Sequence, residues 1–205
     1  MTTDTKQPPL LFRLLFRPLE TCEDLSELEI SARSIFFRIA IWIGLIPPAF
    51  AYIGASLYGW RIGAVEPLYL PAPILLGISI AYYITLLFGF VSTALVSQWM
   101  SVTYGASGSL GRHFAIVTIV GAPLILGSIM HIYPHAFINL VVLVPILIWS
   151  MTLLYRGLPL ALGITMEQGV LMASALIAYL LVASVSLLGL TMFLWTQGLG
   201  PKLGI

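Results

Sequence analysis

The chain of 205 residues is 60% hydrophobic, has a formal net charge of +1 and a mean hydropathy of +1.03. Only 8% of its residues are charged, against about 25% in a typical soluble domain. This composition excludes an ordinary soluble protein, and nucleic acid is not an expected partner because no basic stripe is present. Cys22 is the single cysteine, so no intrachain disulfide can form.

Residues 1–34 are predicted to form a cytoplasmic tail with two segments of opposite character. In the first, Arg13 and Arg17 are four apart and share one helical face, with leucine and phenylalanine around them. They predict a short amphipathic helix, which lies either among lipid headgroups or on the protein's own cytoplasmic surface. In the second, residues 20–29, five acids form either a solvated face or a docking surface for a partner.

Charged residues are rare beyond Arg38, and the apolar runs between them are long. A helix of about 20 residues crosses the hydrocarbon core of a bilayer. The sequence therefore predicts an all-α membrane protein, a five-transmembrane-helix bundle in residues 35–198 with a short external C-terminal tail in residues 199–205. The predicted spans are residues 35–57, 73–97, 112–131, 136–155 and 169–195.

Four prolines inside these spans remove backbone donors and are expected to kink the helices. They are Pro47, Pro48, Pro123 and Pro145. The carbonyl groups that they free need partners in lipid, so we expect these prolines to face other helices. Gly77 with Ala81, and Ser174 with Ala178, are pairs of small residues four apart, a spacing that permits close helix approach.

The distribution of lysine and arginine orients the predicted bundle. With the N-terminus inside, seven basic residues are cytoplasmic and only Arg61 and Lys202 are external. The positive-inside rule therefore predicts a cytoplasmic N-terminus. An odd number of spans then places the C-terminus on the opposite side.

No catalytic signature is visible in the sequence. His131 and His135 are four apart, but Pro134 separates them and no acid or cysteine is near, which favours interfacial turn residues over metal ligands. His113 stands at the entrance of a span and is expected to contact headgroups. We therefore expect no metal, no cofactor and no enzymatic activity.

Three motifs resemble the Yip family (Ypt/Rab-interacting-protein membrane domain) and its bacterial YohC-like branch. Residues 155–159, Tyr-Arg-Gly-Leu-Pro, are similar to the hallmark "LY-x-G-(LI)-P" that follows the fourth helix. Residues 15–18, Leu-Phe-Arg-Pro, resemble the start of the branch's cytoplasmic tail, and residues 46–54 resemble its first span. Order and spacing extend the resemblance over about residues 14–198.

The resemblance implies five helices, a cytoplasmic N-terminus and, for a bacterial inner-membrane protein, a periplasmic C-terminus. Eukaryotic members of the family act in membrane trafficking and bind prenylated Rab GTPases and each other. The sequence and the resemblance together predict a non-enzymatic membrane protein that associates with lipids or partner proteins, including other copies of itself as a homo-oligomer.

The predicted working surface is cytoplasmic and comprises the segment 10–30, the loop at Arg112 and the loop 155–169. Its candidate interaction residues are Arg13, Arg17, Arg112, Tyr155, Arg156, Gly157, Pro159 and Glu167. In the loop 155–169, Gly157 and Pro159 either stiffen a binding surface or only end the fourth span and turn the chain.

The alternative function is a small transporter, channel or lipid-moving protein. A water-accessible cavity lined by Ser79, Thr85, Thr118 and Asn139 would favour this alternative. A dry bundle with an exposed small-residue helix face would favour association.

Overall fold

The computed structural model of the chain describes residues 18–26, 30–61, 66–106 and 108–197. In these residues, five helices are long and apolar enough to cross a membrane. This confirms the predicted class, an all-α five-helix bundle. Arg13 and Arg17, the amphipathic segment around them and the C-terminal tail lie outside the described residues.

Helix α1 (Pro18–Leu25) precedes the membrane spans. A proline suits the first turn of a helix, where a backbone N–H has no partner within the helix. Thr21, Cys22 and Leu25 recur at spacings of one and three residues, so they share one face, and all three are buried. The acidic side chains of α1 are exposed, so the helix lies on the bundle with its charges outward.

The first span, Ala32–Tyr58, is assembled from four pieces. They are α2 (Ala32–Ile35), a π-helical turn (Phe36–Ala40), α3 (Ile41–Gly44) and α4 (Ile46–Tyr58). The break at Leu45 immediately precedes Pro47 and Pro48, which occupy the first turn of α4 and are buried. Prolines are tolerated there because the first N–H groups of a helix lack helical partners anyway.

Four further spans complete the bundle. They are α5 (Ala72–Ser101), α6 (Leu110–Gly127) with a 3-10 turn (Ser128–Ile132), α7 (Ala136–Leu162) and α8 (Met166–Thr196). Helix α8 begins at a capping box. The Thr165 hydroxyl accepts from the backbone N–H of Gln168, and the Gln168 side chain accepts from the backbone N–H of Thr165.

The connection between α7 and α8 is much shorter than predicted. We expected a loop over residues 156–168, but α7 continues to Leu162 and only residues 163–165 turn the chain. Gly163 ends α7 with a positive φ of 64°, and the Ile164 N–H donates to the Pro159 carbonyl. Because Gly163 provides the left-handed C-terminal residue and Gly157 and Pro159 lie within the helix, both alternatives were wrong: these two residues neither end the span nor stiffen a loop.

Helix α6 lies at the centre of the bundle. In its most apolar stretch 44% of the residues are buried, against 17% in each of α5, α7 and α8. Two glycines permit the closest approaches of backbone to backbone. A Cβ on Gly111 would overlap the carbonyl group of Ile30, and a Cβ on Gly54 would overlap the carbonyl oxygen of His131.

The two remaining prolines lie inside helices that continue unbroken through them. Pro123 is buried in α6, as expected for a proline that faces other helices. Pro145 in α7 is exposed, so that expectation was wrong for this residue. Its neighbours Val144 and Ile148 are exposed as well, because this stretch of α7 faces away from the bundle. The kinks themselves stay predictions.

Candidate functional site

The predicted interaction residues near α1 divide into packing positions and surface positions. Tyr155, Arg156, Gly157 and Pro159 all belong to the last two turns of α7. Gly157 and Pro159 are buried, whereas Arg156 is exposed. The half-buried Tyr155 hydroxyl lies 3.1 Å from the Ser174 hydroxyl and links α7 to α8.

Gly157 is the position at which α1 rests on α7. A Cβ built on Gly157 would stand 2.9 Å from the Sγ atom of Cys22. Cys22 is 1% exposed. Burial, assisted by the negative charge of Glu23, raises the pKa of the Cys22 thiol to about 12. A neutral thiol is unreactive, so the arrangement serves packing and not chemistry.

Pro159 and Glu167 lie on either side of the short turn into α8. The Pro159 ring packs on α8 at Gly169, where an added Cβ would stand 2.5 Å from the Pro159 Cβ atom. Glu167 is exposed in the first turn of α8, where a negative charge complements the helix dipole. Of these two residues, only Glu167 is available at the surface.

Arg112 holds the segment that follows α1. Its Nη2 atom donates a hydrogen bond of 2.9 Å to the carbonyl oxygen of Ser26. The adjacent Gly111 admits the backbone of Ile30. Gly157 therefore contacts α1 and Arg112 contacts the residue that follows it, whereas Arg156 and Glu167 lie on the surface.

The four polar residues that would have favoured a transport path are divided among three cavities. Ser79 and Asn139 line a cavity of about 320 Å³ at the end of the bundle opposite α1, which we call the far end. Thr85 lines a cavity of about 340 Å³ between α5 and α8. Thr118 lines a cavity of about 380 Å³ beside α1, and its hydroxyl donates to the Phe114 carbonyl.

A further cavity of about 430 Å³ lies among α5, α6, α7 and α8, and we call it the lateral cavity. It adjoins the cavity of about 340 Å³, because four residues line both spaces: Gly89, Thr93, Leu180 and Ser184. The joint space is bounded by α5 and α8, and a Cβ added at Gly89 would meet nothing within 4 Å. The lateral cavity therefore opens sideways between two membrane spans.

Ser150 contributes an unpaired hydroxyl to the lateral cavity. It is 2% exposed, and its Oγ atom has no hydrogen-bond partner in the part of the chain that the structure describes. Several other helical hydroxyls in the bundle donate to a carbonyl one turn earlier, as Ser184 does to Leu180 and Thr152 to Ile148. Because Ser150 makes no such bond, its hydroxyl can donate to an occupant of the cavity.

Ser97, which also lines the lateral cavity, is paired with His113. The Ser97 Oγ atom lies 2.8 Å from Nδ1 of His113, and the two residues are 1% and 0% exposed. The expectation that His113 contacts headgroups was therefore wrong, since the ring is enclosed between α5 and α6. Sequence reasoning missed this pair because the two residues are 16 apart and belong to different helices.

Comparisons with known proteins agree with the architecture. The Yip1 domain profile matches residues 12–188. The chain is 30% identical over 153 residues to "Inner membrane protein YohC" of Escherichia coli K12, which covers 75% of this chain and 78% of that protein. Identity and coverage are the same for the YohC protein of Escherichia coli O6:H1. No solved structure matches the chain.

Proposed function

The chain belongs to the Yip1 domain family, and we propose that it acts without catalysis, by holding the acyl chain of a membrane lipid in the lateral cavity. The observation that carries this proposal is the sideways opening between α5 and α8, where Gly89 and Ser184 line both adjoining spaces. An occupant can enter such a space from the bilayer without crossing water.

The size and the lining of the lateral cavity suit an apolar chain. Its volume of about 430 Å³ falls in the range of about 300–1,000 Å³ that is usual for small-molecule sites. Its walls include Phe90, Leu154 and Ile177, while Ser150 supplies one unpaired donor. A lipid whose polar atom reaches Ser150 is expected to bind more tightly than a plain hydrocarbon.

We propose further that the protein resides in a bacterial inner membrane with α1 on the cytoplasmic side. The name of the E. coli relative supports the compartment. The excess of basic residues around α1 supports the orientation, because cytoplasmic loops carry more lysine and arginine. The far end, with Arg61, is then periplasmic.

Self-association is a part of the same proposal. Gly77 and Ala81 are exposed on α5, and a Cβ added at Gly77 would meet nothing within 4 Å. Small exposed residues four apart permit a second membrane helix to approach closely. We expect a second copy of the chain to pack on this face.

The alternative of a small transporter or channel has less support from the geometry. Ser79 and Thr118 line cavities at opposite ends of the bundle, and Thr85 lines a third space. A transport path needs these polar groups to follow one another through one connected space. Their separation favours lipid association over transport.

A photoreactive phospholipid tests the function. The protein is reconstituted in membranes that contain a lipid with a diazirine in the middle of its acyl chain, irradiated and digested. We expect crosslinks to concentrate on α5 around Gly89 and on α8 around Ser184. In the Gly89→Leu variant a leucine fills the opening, so these crosslinks should fall several-fold.

Gly189→Leu is the matched control for this experiment. It makes the same substitution in α8, and it too meets open space, but Gly189 lines neither the lateral cavity nor the space that adjoins it. Crosslinking should therefore be unchanged. Crosslinks spread evenly around the bundle, or equal yields in the Gly89→Leu and wild-type proteins, would exclude the lateral cavity as a lipid site.

A further inference from the structure

The far-end cavity, which Ser79 and Asn139 line, also has a basic residue in its wall. The backbone of Arg61 pairs with the connection between α6 and α7: its N–H donates to the Pro134 carbonyl (2.9 Å), and its own carbonyl accepts from Ala136 (3.1 Å). The neighbouring Trp60 pairs in both directions with Leu68 at 2.8 Å. The backbone of Arg61 is therefore fixed to the connection between α6 and α7, and its neighbour Trp60 is fixed within their own connection.

Among the described residues, the guanidinium group of Arg61 forms no ion pair with an acid, and Glu66 in the same connection is exposed. The Cζ atom of Arg61 lies 5.7 Å from the centre of the Tyr133 ring, a cation–π contact. Its Nε atom is buried and has no hydrogen-bond partner among the described residues. Residues 62–65, which follow Arg61, are Ile, Gly, Ala and Val and bring no carboxylate. The positive charge is thus left for a ligand.

The far-end cavity has both this charge and apolar residues in its lining, and we call the apolar residues its floor. It measures about 320 Å³ and is lined by Arg61 and Trp60 at its polar end, with Ala51, Leu75 and Ile78 among its apolar residues. Tryptophan and tyrosine near Arg61 are typical of the membrane interface. The cavity therefore has the polarity of a site for an amphiphile, with its anionic end on Arg61.

His131 is a second polar residue of the cavity, and its hydrogen bonds show which ring nitrogen carries a proton. The Asn139 side chain donates through Nδ2 to the carbonyls of Tyr133 and His135, so its Oδ1 atom is the acceptor for Nδ1 of His131 at 2.7 Å. Nδ1 therefore carries a proton. In the neutral ring, Nε2 is then the acceptor that His131 offers to a ligand.

We propose that the far-end cavity binds a phosphate group, with the phosphate oxygens on Arg61 and the rest of the ligand along the apolar floor. Arginine pairs with phosphate through two parallel hydrogen bonds. A hydroxyl or ammonium group next to the phosphate would donate to Nε2 of His131. A phospholipid headgroup and a free glycerol phosphate share this chemistry, and the experiment separates the two sources.

Native mass spectrometry of the detergent-purified protein tests the site with phosphatidylglycerol and with diacylglycerol, which has the same chains but no phosphate. We expect a phosphatidylglycerol adduct that Arg61→Gln weakens about tenfold, as for the loss of a charged hydrogen-bonding partner. Arg61→Lys, which keeps the charge but not the planar fork, should show an intermediate loss.

Arg33→Gln is the matched control. Arg33 is exposed and lies over the Phe37 ring at 5.8 Å, so it makes the same cation–π contact away from this cavity. The Arg61 backbone bonds survive in Arg61→Gln, and an unchanged unfolding temperature would verify this. A loss confined to Arg61 variants reports the far-end site, because Arg61 does not line the lateral cavity.

Glycerol 3-phosphate added in excess separates the two ligand sources. If it displaces the adduct, the cavity takes free phosphate esters; if it does not, the phospholipid is the ligand, and either result supports the proposal. Equal weakening by Arg61→Gln and Arg33→Gln, no weakening by Arg61→Gln, or equal binding of diacylglycerol would overturn it.

Discussion

Cys22 on α1 lies directly against Gly157 on α7, so close that a Cβ on Gly157 would stand 2.9 Å from the cysteine sulfur. The contact joins the only cysteine of the chain to a residue of the segment 155–159, which resembles the Yip hallmark. A glycine is needed here because α1 could not otherwise approach α7 this closely. The accessibility of the Cys22 thiol therefore reports whether α1 is docked on α7.

Gly157→Val is predicted to displace α1 and to expose Cys22. The added isopropyl group cannot share the space that the thiol fills, so maleimide labelling of Cys22 should accelerate strongly. Gly189→Val, at a glycine whose Cβ would meet nothing within 4 Å, should leave the labelling rate unchanged. Equally slow labelling in both variants would contradict the docking role of Gly157.

The raised pKa of the Cys22 thiol predicts that the docking of α1 depends on pH. Its pKa is raised from 9.0 to about 12 by burial and by Glu23. Docking is therefore fully favourable below pH 9.0 and weakens as the pH rises toward about 12, because the undocked thiol ionises first. The labelling rate in Gly157→Val should level off at a lower pH than in the wild type. Superimposable pH profiles would contradict this prediction.

Arg112→Gln is predicted to loosen α1 in the same assay. The substitution removes the hydrogen bond from Nη2 to the Ser26 carbonyl, and a bond from a charged donor contributes about 1.5–3 kcal/mol. Cys22 labelling should rise about tenfold. Arg156→Gln removes an exposed arginine from α7 and should not change labelling. An equal rise in the two variants would point to a general effect of charge.

The five spans could be predicted because charge is costly in lipid and this chain keeps its few charges near the ends of the spans. The end of α7 could not be predicted in the same way. Gly157 and Pro159 both look like helix terminators in isolation, yet Gly157 serves contact with Cys22 and the turn is made by Gly163. Tertiary packing, which sequence spacing does not show, decided between them.

The candidate sites were even less accessible to sequence reasoning. The lateral cavity is lined by apolar side chains, and these resemble the lipid-facing residues of any span. Ser150 is one of many hydroxyls, and only its missing hydrogen bond distinguishes it. Arg61 was predicted to lie between the first two spans, where the structure has it, but its pairing with the distant Pro134 required the folded chain.

Gly54→Ala is predicted to destabilise the protein severely. The added methyl group would overlap the carbonyl oxygen of His131, which is backbone and cannot rotate away. Gly77→Ala meets open space, so it should be neutral or stabilising by about 0.5 kcal/mol, the usual gain of alanine over glycine in a helix. Unfolding in mixed micelles measures both. Similar stabilities would show that α4 and the 3-10 turn are not closely packed.

The orientation is predicted from the seven basic residues on one side and two on the other. In a Cys22→Ala background, Thr3→Cys should react with a membrane-impermeant maleimide only after the cytoplasmic side is opened. Gly204→Cys should react in intact cells whose outer membrane has been permeabilised. Reaction of both cysteines from the same side would contradict opposite-side termini and therefore the odd number of spans.

Two buried serines of the lateral cavity are predicted to respond oppositely to loss of the hydroxyl. Ser97→Ala leaves Nδ1 of the enclosed His113 without its partner at 2.8 Å, which should cost about 1–3 kcal/mol of unfolding free energy. Ser150→Ala removes a hydroxyl that has no partner among the described residues, so the lipid-free protein should keep or slightly gain stability. Ser184→Ala, at an exposed serine of the same cavity, controls for loss of helix-backbone bonding. If Ser150→Ala is as costly as Ser97→Ala in thoroughly delipidated protein, its hydroxyl already has a protein partner and is not available to a lipid.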